Sequence, residues 1–163
     1  ENEELKSKLE KISTEAPIGT ENLACGEDKI DVNITFRAWD RSKGKWTRLK
    51  RELPFTWNRI FSLIAPAMLD ETSEENLREL LNSEIRNRSQ EYITFSMKKI
   101  YEMFQNIEIA DESMGRIQIQ LRALGYIMLS EKKHTASDKS TYWTLTPYGN
   151  KIITQLLAIR KDV

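Results

Sequence analysis

Cysteine occurs once, as Cys25, and histidine once, as His134, in a chain of 163 residues. An internal disulfide is therefore excluded. The two residues are also too far apart in sequence to suggest the clustered ligands of a zinc site or a thiol–imidazole pair. A reducing, cytoplasmic setting is the expectation. Long apolar runs are missing too. The longest, around Ile60 to Leu69, is broken by Ser62 and Pro66 and falls short of the roughly 20 residues that a membrane helix needs. No membrane partner is expected, and no secretory leader is visible. Net charge is absent, with 25 Lys and Arg balancing 25 Asp and Glu. That balance argues against a strongly basic, non-specific nucleic-acid binder and leaves local patches open. There is no Gly-rich phosphate loop, no paired-histidine metal spacing and no nucleophile elbow, so the chain reads as a non-enzyme with no cofactor and no metal.

What is present is enough apolar residue, 39%, for one compact domain or two small ones sharing a core. The chain opens at Glu1 directly in a charged helical pattern, as a piece of something longer would. Leu5, Leu9 and Ile12 are spaced four and three apart, the spacing of a coiled-coil seam. They mark either an oligomerising helix or a solvated lead-in. A linker follows to residue 28. From Lys29 the period becomes two, with Ile30, Val32, Ile34, Phe36 and Ala38 on one face. Residues 40–44 read as a turn, and Lys45 to Leu53 as the return strand of a hairpin. Thr56 caps a helix carrying Trp57, Ile60, Phe61, Ile64 and Met68, kinked or ended at Pro66.

Thr72-Ser-Glu-Glu75 has capping-box spacing and begins a helix burying Leu77, Leu80, Leu81 and Ile85. Tyr92 to Phe95 reads as a short strand. Ser96 starts a helix with the stripe Met97, Ile100, Tyr101 and Phe104. Asp111 or Ser113 caps the next, with Met114, Ile117, Leu121 and Leu124 inward and Gly125 as its stop. Tyr126 to Glu131 and Thr141 to Leu145 are strands around a polar loop, and Thr146-Pro147 opens a last helix.

Read from Thr72, helix, short strand, helix, helix, strand, loop, strand, helix is the order of a winged helix. IQLRALGYI followed by a charged loop and YWTLTPYG resembles the end of many prokaryotic winged-helix domains. Together with TWNRIFSLIAPAML, these stretches are similar to the C-terminal region of bacterial multidomain proteins that begin with an uncharacterised α/β domain followed by a coiled coil. That similarity covers most of residues 29 to 163. The resemblance implies an accessory or sensing module of a larger protein, whose N-terminal domain is a partner missing from this chain. The expected fold is α+β, with a helical stub and linker over 1–28, a hairpin plus helix over 29–71 and a winged helix over 72–163.

In a DNA-binding winged helix, the outward residues of the third helix meet base edges. Here that set is Ser113, Arg116, Gln120 and Arg122, with Gln118 at its margin. Arg and Gln suit guanine and adenine. The wing loop adds Lys132, Lys133 and Lys139. Against this stand Asp111 and Glu112 at the leading end, and residues 91 to 163 hold ten basic against eight acidic residues, a weak excess. The densest positive charge lies elsewhere, at Arg37, Arg41, Lys43, Lys45, Arg48, Lys50 and Arg51, with Trp39 and Trp46 interleaved. These residues form either a nucleic-acid surface or an edge hairpin whose tryptophans pack on the neighbouring helix. Asp70, Glu71, Glu74, Glu75 and Glu79 form an opposite cluster that could receive that hairpin from a second subunit. The reading is a non-catalytic regulatory module that binds nucleic acid. The alternative is a winged helix used for protein contacts or for self-association through the N-terminal helix.

Overall fold

The computed structural model describes residues 1–162. It is a mixed α+β chain with two three-stranded antiparallel sheets, ordered β2-β1-β4 and β3-β6-β5. The strands are β1 (Lys29–Asp40), β2 (Lys45–Thr56), β3 (Thr72–Ser73), β4 (Tyr101–Ile109), β5 (Ile127–Leu129) and β6 (Tyr142–Leu145). The helices are α1 (Asn2–Ser13), α2 (Trp57–Ile64, continued by a 3-10 turn to Met68), α3 (Glu74–Asn87), α4 (Phe95–Ile100), α5 (Asp111–Ala123) and α6 (Pro147–Leu157).

The period-two pattern of β1 translates directly into burial. Val32, Ile34, Phe36 and Ala38 are at most 1% exposed, and full burial of each large aliphatic or aromatic side chain contributes roughly 1.5–3 kcal/mol. The register with β2 is unbroken from Lys29↔Thr56 to Asp40↔Lys45. Pro54 is tolerated because β2 is an edge strand, where a missing donor breaks no ladder. On the core side α2 packs by β2 and α3 by β4, and one continuous core joins Val32, Phe36 and Phe55 to Leu77, Ile117 and Trp143.

Thr56 caps α2 by accepting from the Arg59 amide, and Thr146 caps α6 by accepting from the Gly149 amide behind Pro147. The cap of α3 is Ser73 instead of Thr72. Ser73 accepts from the Asn76 amide, while Thr72 pairs with Trp143 in the sheet and its hydroxyl accepts from Asn76 Nδ2. Ala110 precedes α5 with no side-chain cap, so neither Asp111 nor Ser113 caps it. Gly125 ends α5 at φ +76°, the left-handed conformation a glycine adopts without steric cost.

The largest departure lies between α3 and α5. The short strand that joins β6 is Thr72–Ser73, and Tyr92–Phe95 is not a strand. Tyr92 instead packs under the sheet against Phe36, with ring centroids 5.8 Å apart. Its hydroxyl donates to the Ile85 carbonyl at 2.8 Å, and burial pushes its phenol up to about 12. The helix expected from Ser96 starts after Thr94, whose hydroxyl accepts from the Met97 amide, and it ends at Ile100. Tyr101 to Ile109 then pairs with β1. This pairing carries a strand from beyond residue 72 into the sheet of the hairpin.

The misreading has a physical cause. β4 pairs Glu102, Gln105 and Glu108 with Trp39, Arg37 and Thr35, so three residues of β4 match two of β1 at each step. Met103 and Asn106 absorb the extra residue with φ 54° and 55°, as bulge residues do. Tyr101, Phe104 and Ile107 consequently face the core at a period of three, and two bulges in succession thus mimic a helical stripe.

The corner from β4 into α5 is held from below. Buried Asn82 on α3 accepts from the Ile109 amide at 2.7 Å, and Arg78 donates to the Ile109 carbonyl at 3.1 Å. We expect Asn82→Ala to leave that buried amide without its acceptor and to cost about 1–3 kcal/mol, read as a lowered midpoint in urea unfolding. Gly149 is a second fixed point, because a Cβ there would overlap the Tyr126 carbonyl. Gly149→Ala is expected to destabilise by at least about 3 kcal/mol in the same measurement, and an unchanged midpoint would show that α6 can move away from Tyr126.

Candidate functional site

Two surfaces carry the residues singled out from the sequence. The first is α5 with the loop between β5 and β6. Ser113, expected to face outward, is 3% exposed, and its hydroxyl accepts from the Asn33 amide at 2.9 Å. The helix packs closely against β1 at that turn, so Ser113 joins the two elements and is withdrawn from the surface. Gln118 donates to Glu74 Oε1 at 3.1 Å, beside Trp143 Nε1 at 3.0 Å. Gln120 donates to the Ala24 carbonyl at 2.8 Å, holding the linker along the helix. Arg122 lies with its guanidinium 5.5 Å from the Trp143 ring centre. Arg116 is exposed and makes no hydrogen bond or close ion pair among the described residues, acting on Glu112 only as a nearby charge.

Between Arg116 and Arg122 the outward residue is Ile119, 70% exposed. Sequence reading passed over it because it matched neither the core stripe nor the polar set. At the leading end Asp111 pairs with Arg78 at 2.9 Å, and Glu112 pairs with Lys50 and accepts from Asn33. A cleft of about 260 Å³ between α3 and α5 is lined by Glu74, Glu75 and Asp111 as well as Arg78.

The loop between β5 and β6 is pinned down. Lys132 pairs with Asp70, and Ser130 donates to Glu71. His134 stacks on Tyr142 with centroids 3.8 Å apart, and its Nε2 lies 2.9 Å from Glu71. Tyr142 donates to Asp138 at 2.7 Å, which with the Ser140 amide holds that carboxyl below its usual range. Lys133 and Lys139 remain exposed without partners among the described residues. Four of the five acidic-cluster residues are engaged internally, all but Glu75: Glu79 pairs with Arg86 at 2.8 Å, Glu74 with Gln118 and Trp143, and Asp70 and Glu71 with the loop.

The second surface is the face of the β2-β1-β4 sheet turned away from the core, which the start of α5 meets at the Asn33–Lys50 end. Its residues form transverse rows set by the register: Lys50, Thr35, Glu108; then Arg48, Arg37, Gln105; then Trp46, Trp39, Glu102. Trp39 and Trp46 pack edge-to-face on one another, with centroids 5.6 Å apart at 78°, and both stay partly exposed. They do not pack on a neighbouring helix. Arg37 lies 4.5 Å over the Trp46 ring and donates to Gln105 at 3.5 Å. Arg41 pairs with Glu102 at 3.3 Å.

Lys43, Lys45 and Arg48 are exposed and form no close ion pair among the described residues, Lys43 acting on Asp40 only as a nearby charge. Arg51 belongs to the other side of β2, opposite Ile34, and donates to the Lys50 carbonyl at 2.7 Å. Two adjoining concavities, of about 490 and 110 Å³, share Thr35, Arg48 and Glu108. Gln105 and Glu108 were missed as surface partners of the hairpin because only the bulged pairing with β1 brings them there.

Among the described residues no three His, Cys, Asp or Glu side chains gather as a metal site. No helix is long and apolar enough to cross a membrane. Cys25 is exposed. No protein-family model, curated protein or solved structure matches the chain.

The turn that presents Lys43 and Lys45 is braced by Asp40, which is 3% exposed. Its Oδ1 accepts from the Lys43 and Ser42 amides, both at 3.0 Å, and from the Ser42 hydroxyl at 2.8 Å. The Lys43 amide and then the Ser42 hydroxyl hold the Asp40 carboxyl below its usual range. A depressed folded-state value means the stabilisation is full above the unfolded value, near 3.9, and is lost as pH falls through the folded value. Trp39 and Trp46 emission should therefore report a loosening of the turn below about pH 4. Asp40→Asn should remove that acid-dependent component, and a variant with the same acid transition as the wild type would discard Asp40 as the brace.

Proposed function

We propose that this chain is a non-catalytic nucleic-acid-binding module of a larger protein, and that its contact surface is the open basic face of the β2-β1-β4 sheet. In this reading α2, β3, α3, α5, β5 and β6 make a winged helix in which residues 88–110 are inserted between the second and third helices. The winged helix acts chiefly as the scaffold, and β4, from the insertion, completes the sheet.

The observation that carries the proposal is uncommitted positive charge set beside an indole pair; Arg116, Lys133 and Lys139 are also uncommitted but have no such pair beside them. Lys45 and Arg48 have no acidic partner and Lys43 has only the nearby charge of Asp40, and the three lie beside a partly exposed Trp–Trp–Arg stack. A strand of phosphates needs cations, and unpaired bases need π-faces to lie on. On α5 the leading end is carboxylate, and Ser113, Gln118 and Gln120 are used inside the protein. A duplex backbone brought to that end would meet Glu74, Glu75 and Asp111 first.

The test compares two variants on a labelled single-stranded oligonucleotide across a salt series. Replacing Lys43, Lys45 and Arg48 together by Gln is expected to weaken binding at least tenfold. It should also lower the salt slope by about two, since each lost phosphate contact removes roughly 0.7. Replacing Arg116 and Arg122 should change affinity less than about threefold. The opposite ranking would return the contact to α5, and absence of binding at low salt would end the nucleic-acid reading.

A second reading, self-association, is favoured by α1. No residue of α1 is buried, and Leu5, Leu9 and Ile12 are 56%, 65% and 72% exposed. An isolated helix of this length is marginal in water, and its apolar seam is of the kind that a second helix covers. Leu9→Lys should abolish a concentration-dependent increase in mass by sedimentation equilibrium. A wild-type chain that stays monomeric at every accessible concentration removes this reading.

A further inference from the structure

We infer that the concavity over Thr35 is a subsite for a single unpaired guanine base, read by the Glu108 carboxylate. The inference rests on the nucleic-acid reading above and adds a base preference to it.

Glu108 is conspicuous on a surface otherwise suited to phosphates. Three carboxylates line the larger concavity, and two of them are committed: Asp111 to Arg78 and Glu112 to Lys50. Glu108 is exposed and makes no hydrogen bond or close ion pair among the described residues, with Arg86 acting on it only as a more distant charge. It stands across Thr35 from Lys50 in the same row, two strand spacings away, about 10 Å. Arg48 lines the same space and is equally uncommitted.

The backbone departs from regular geometry to place that carboxylate there. In an unbulged strand, alternation would turn Glu108 toward the core once Gln105 faced outward. The extra residue, Asn106, at φ 55°, restores Glu108 to the open face and lines the smaller concavity itself. Non-glycine residues in this region carry strain and concentrate at functional positions. The position is also rigid, since the next residue, Ile109, is gripped by Asn82 and Arg78.

A lone carboxylate beside Arg48 would repel a phosphate, so its ligand must bring donors. Ionised, it accepts only, through two oxygens that suit a parallel pair of N–H groups. Among the bases, guanine alone presents two such donors side by side, N1–H and N2–H, on its Watson–Crick edge. Adenine and cytosine set one amino group next to an acceptor, and thymine sets one N–H between two carbonyls. In a duplex the guanine N1–H is already engaged, so the base must be unpaired, as in single strands read through exposed edges. Arg48 is then placed for the adjoining phosphate. A volume of about 490 Å³ lies within the range of small-ligand sites.

The test measures binding of labelled oligo-dT 11-mers carrying a central G, A, C or T, at fixed low salt, by fluorescence anisotropy. Wild-type protein is expected to prefer the G-containing strand by about tenfold, within the discrimination of one bidentate pair. Glu108→Gln, an exposed isosteric change, should reduce that preference to within about twofold while leaving the salt slope unchanged. Glu102→Gln should keep the preference. Equal binding of all four strands by wild type, or a preference that survives in Glu108→Gln, overturns the guanine subsite and leaves the nucleic-acid reading standing. Failure of every strand to bind removes both.

Discussion

The arrangement of this chain depends on β4 lying antiparallel to β1. Without it, β1 and β2 would be a two-stranded hairpin, which is marginal as an isolated unit. Without it, too, the start of α5 would have no fixed position relative to the sheet. The pairing is locked at one end by a buried amide–carboxamide contact, the Ile109 amide to Asn82 Oδ1. The Ala110 amide continues it by donating to the Asn33 carbonyl at 2.9 Å, and Ser113 reaches back to the Asn33 amide. Three hydrogen bonds thus join α3, β1 and α5 at one corner, and the cost of leaving any of these buried groups unpaired makes the corner hard to open.

That corner also decides how charge is distributed. A chain with equal numbers of acidic and basic residues can neutralise itself pair by pair, and around α3, α5 and the β5–β6 loop it largely does so. Asp70, Glu71, Glu79, Asp111 and Glu112 all find cationic or hydroxyl partners. Arg116, Lys133 and Lys139 are exceptions there, and on the outer face of the β2-β1-β4 sheet and its turn Lys43, Lys45, Arg48 and Glu108 make no close ion pair beside the Trp39–Trp46 pair. Exposed pairs are worth little individually. The pattern therefore bears more on what the two faces attract than on stability, and it is the reason the sheet face, and not α5, is the better candidate for a phosphate chain.

Much of the local structure was legible. The alternation in β1, the Thr56 and Thr146 caps, Pro147 at a first helical position and the Gly125 stop are dictated by short-range sterics and hydrogen bonding, which a sequence states openly. Tyr101, Phe104 and Ile107 show where legibility fails. Their spacing of three is an honest helical signal, but two left-handed residues convert it into a strand with one apolar side. Ser113 failed differently, since a small polar residue reads as surface until a neighbouring backbone amide claims its oxygen. Gly149 was legible as part of a motif, but its reason, contact with the Tyr126 carbonyl, was not.

The sequence by itself determined that the chain is α+β, where most helices and the long hairpin begin and end, and which patch is most basic. These follow from periodicity, capping and composition, each set within a few residues. Only the tertiary structure decided that residues 101–109 complete the sheet of the hairpin, that Asn82 and Ser113 are structural, and that Glu108 stands beside Arg48. Those outcomes depend on which distant backbone groups meet, and whether buried donors and acceptors are satisfied is a property of the assembled chain and not of any segment.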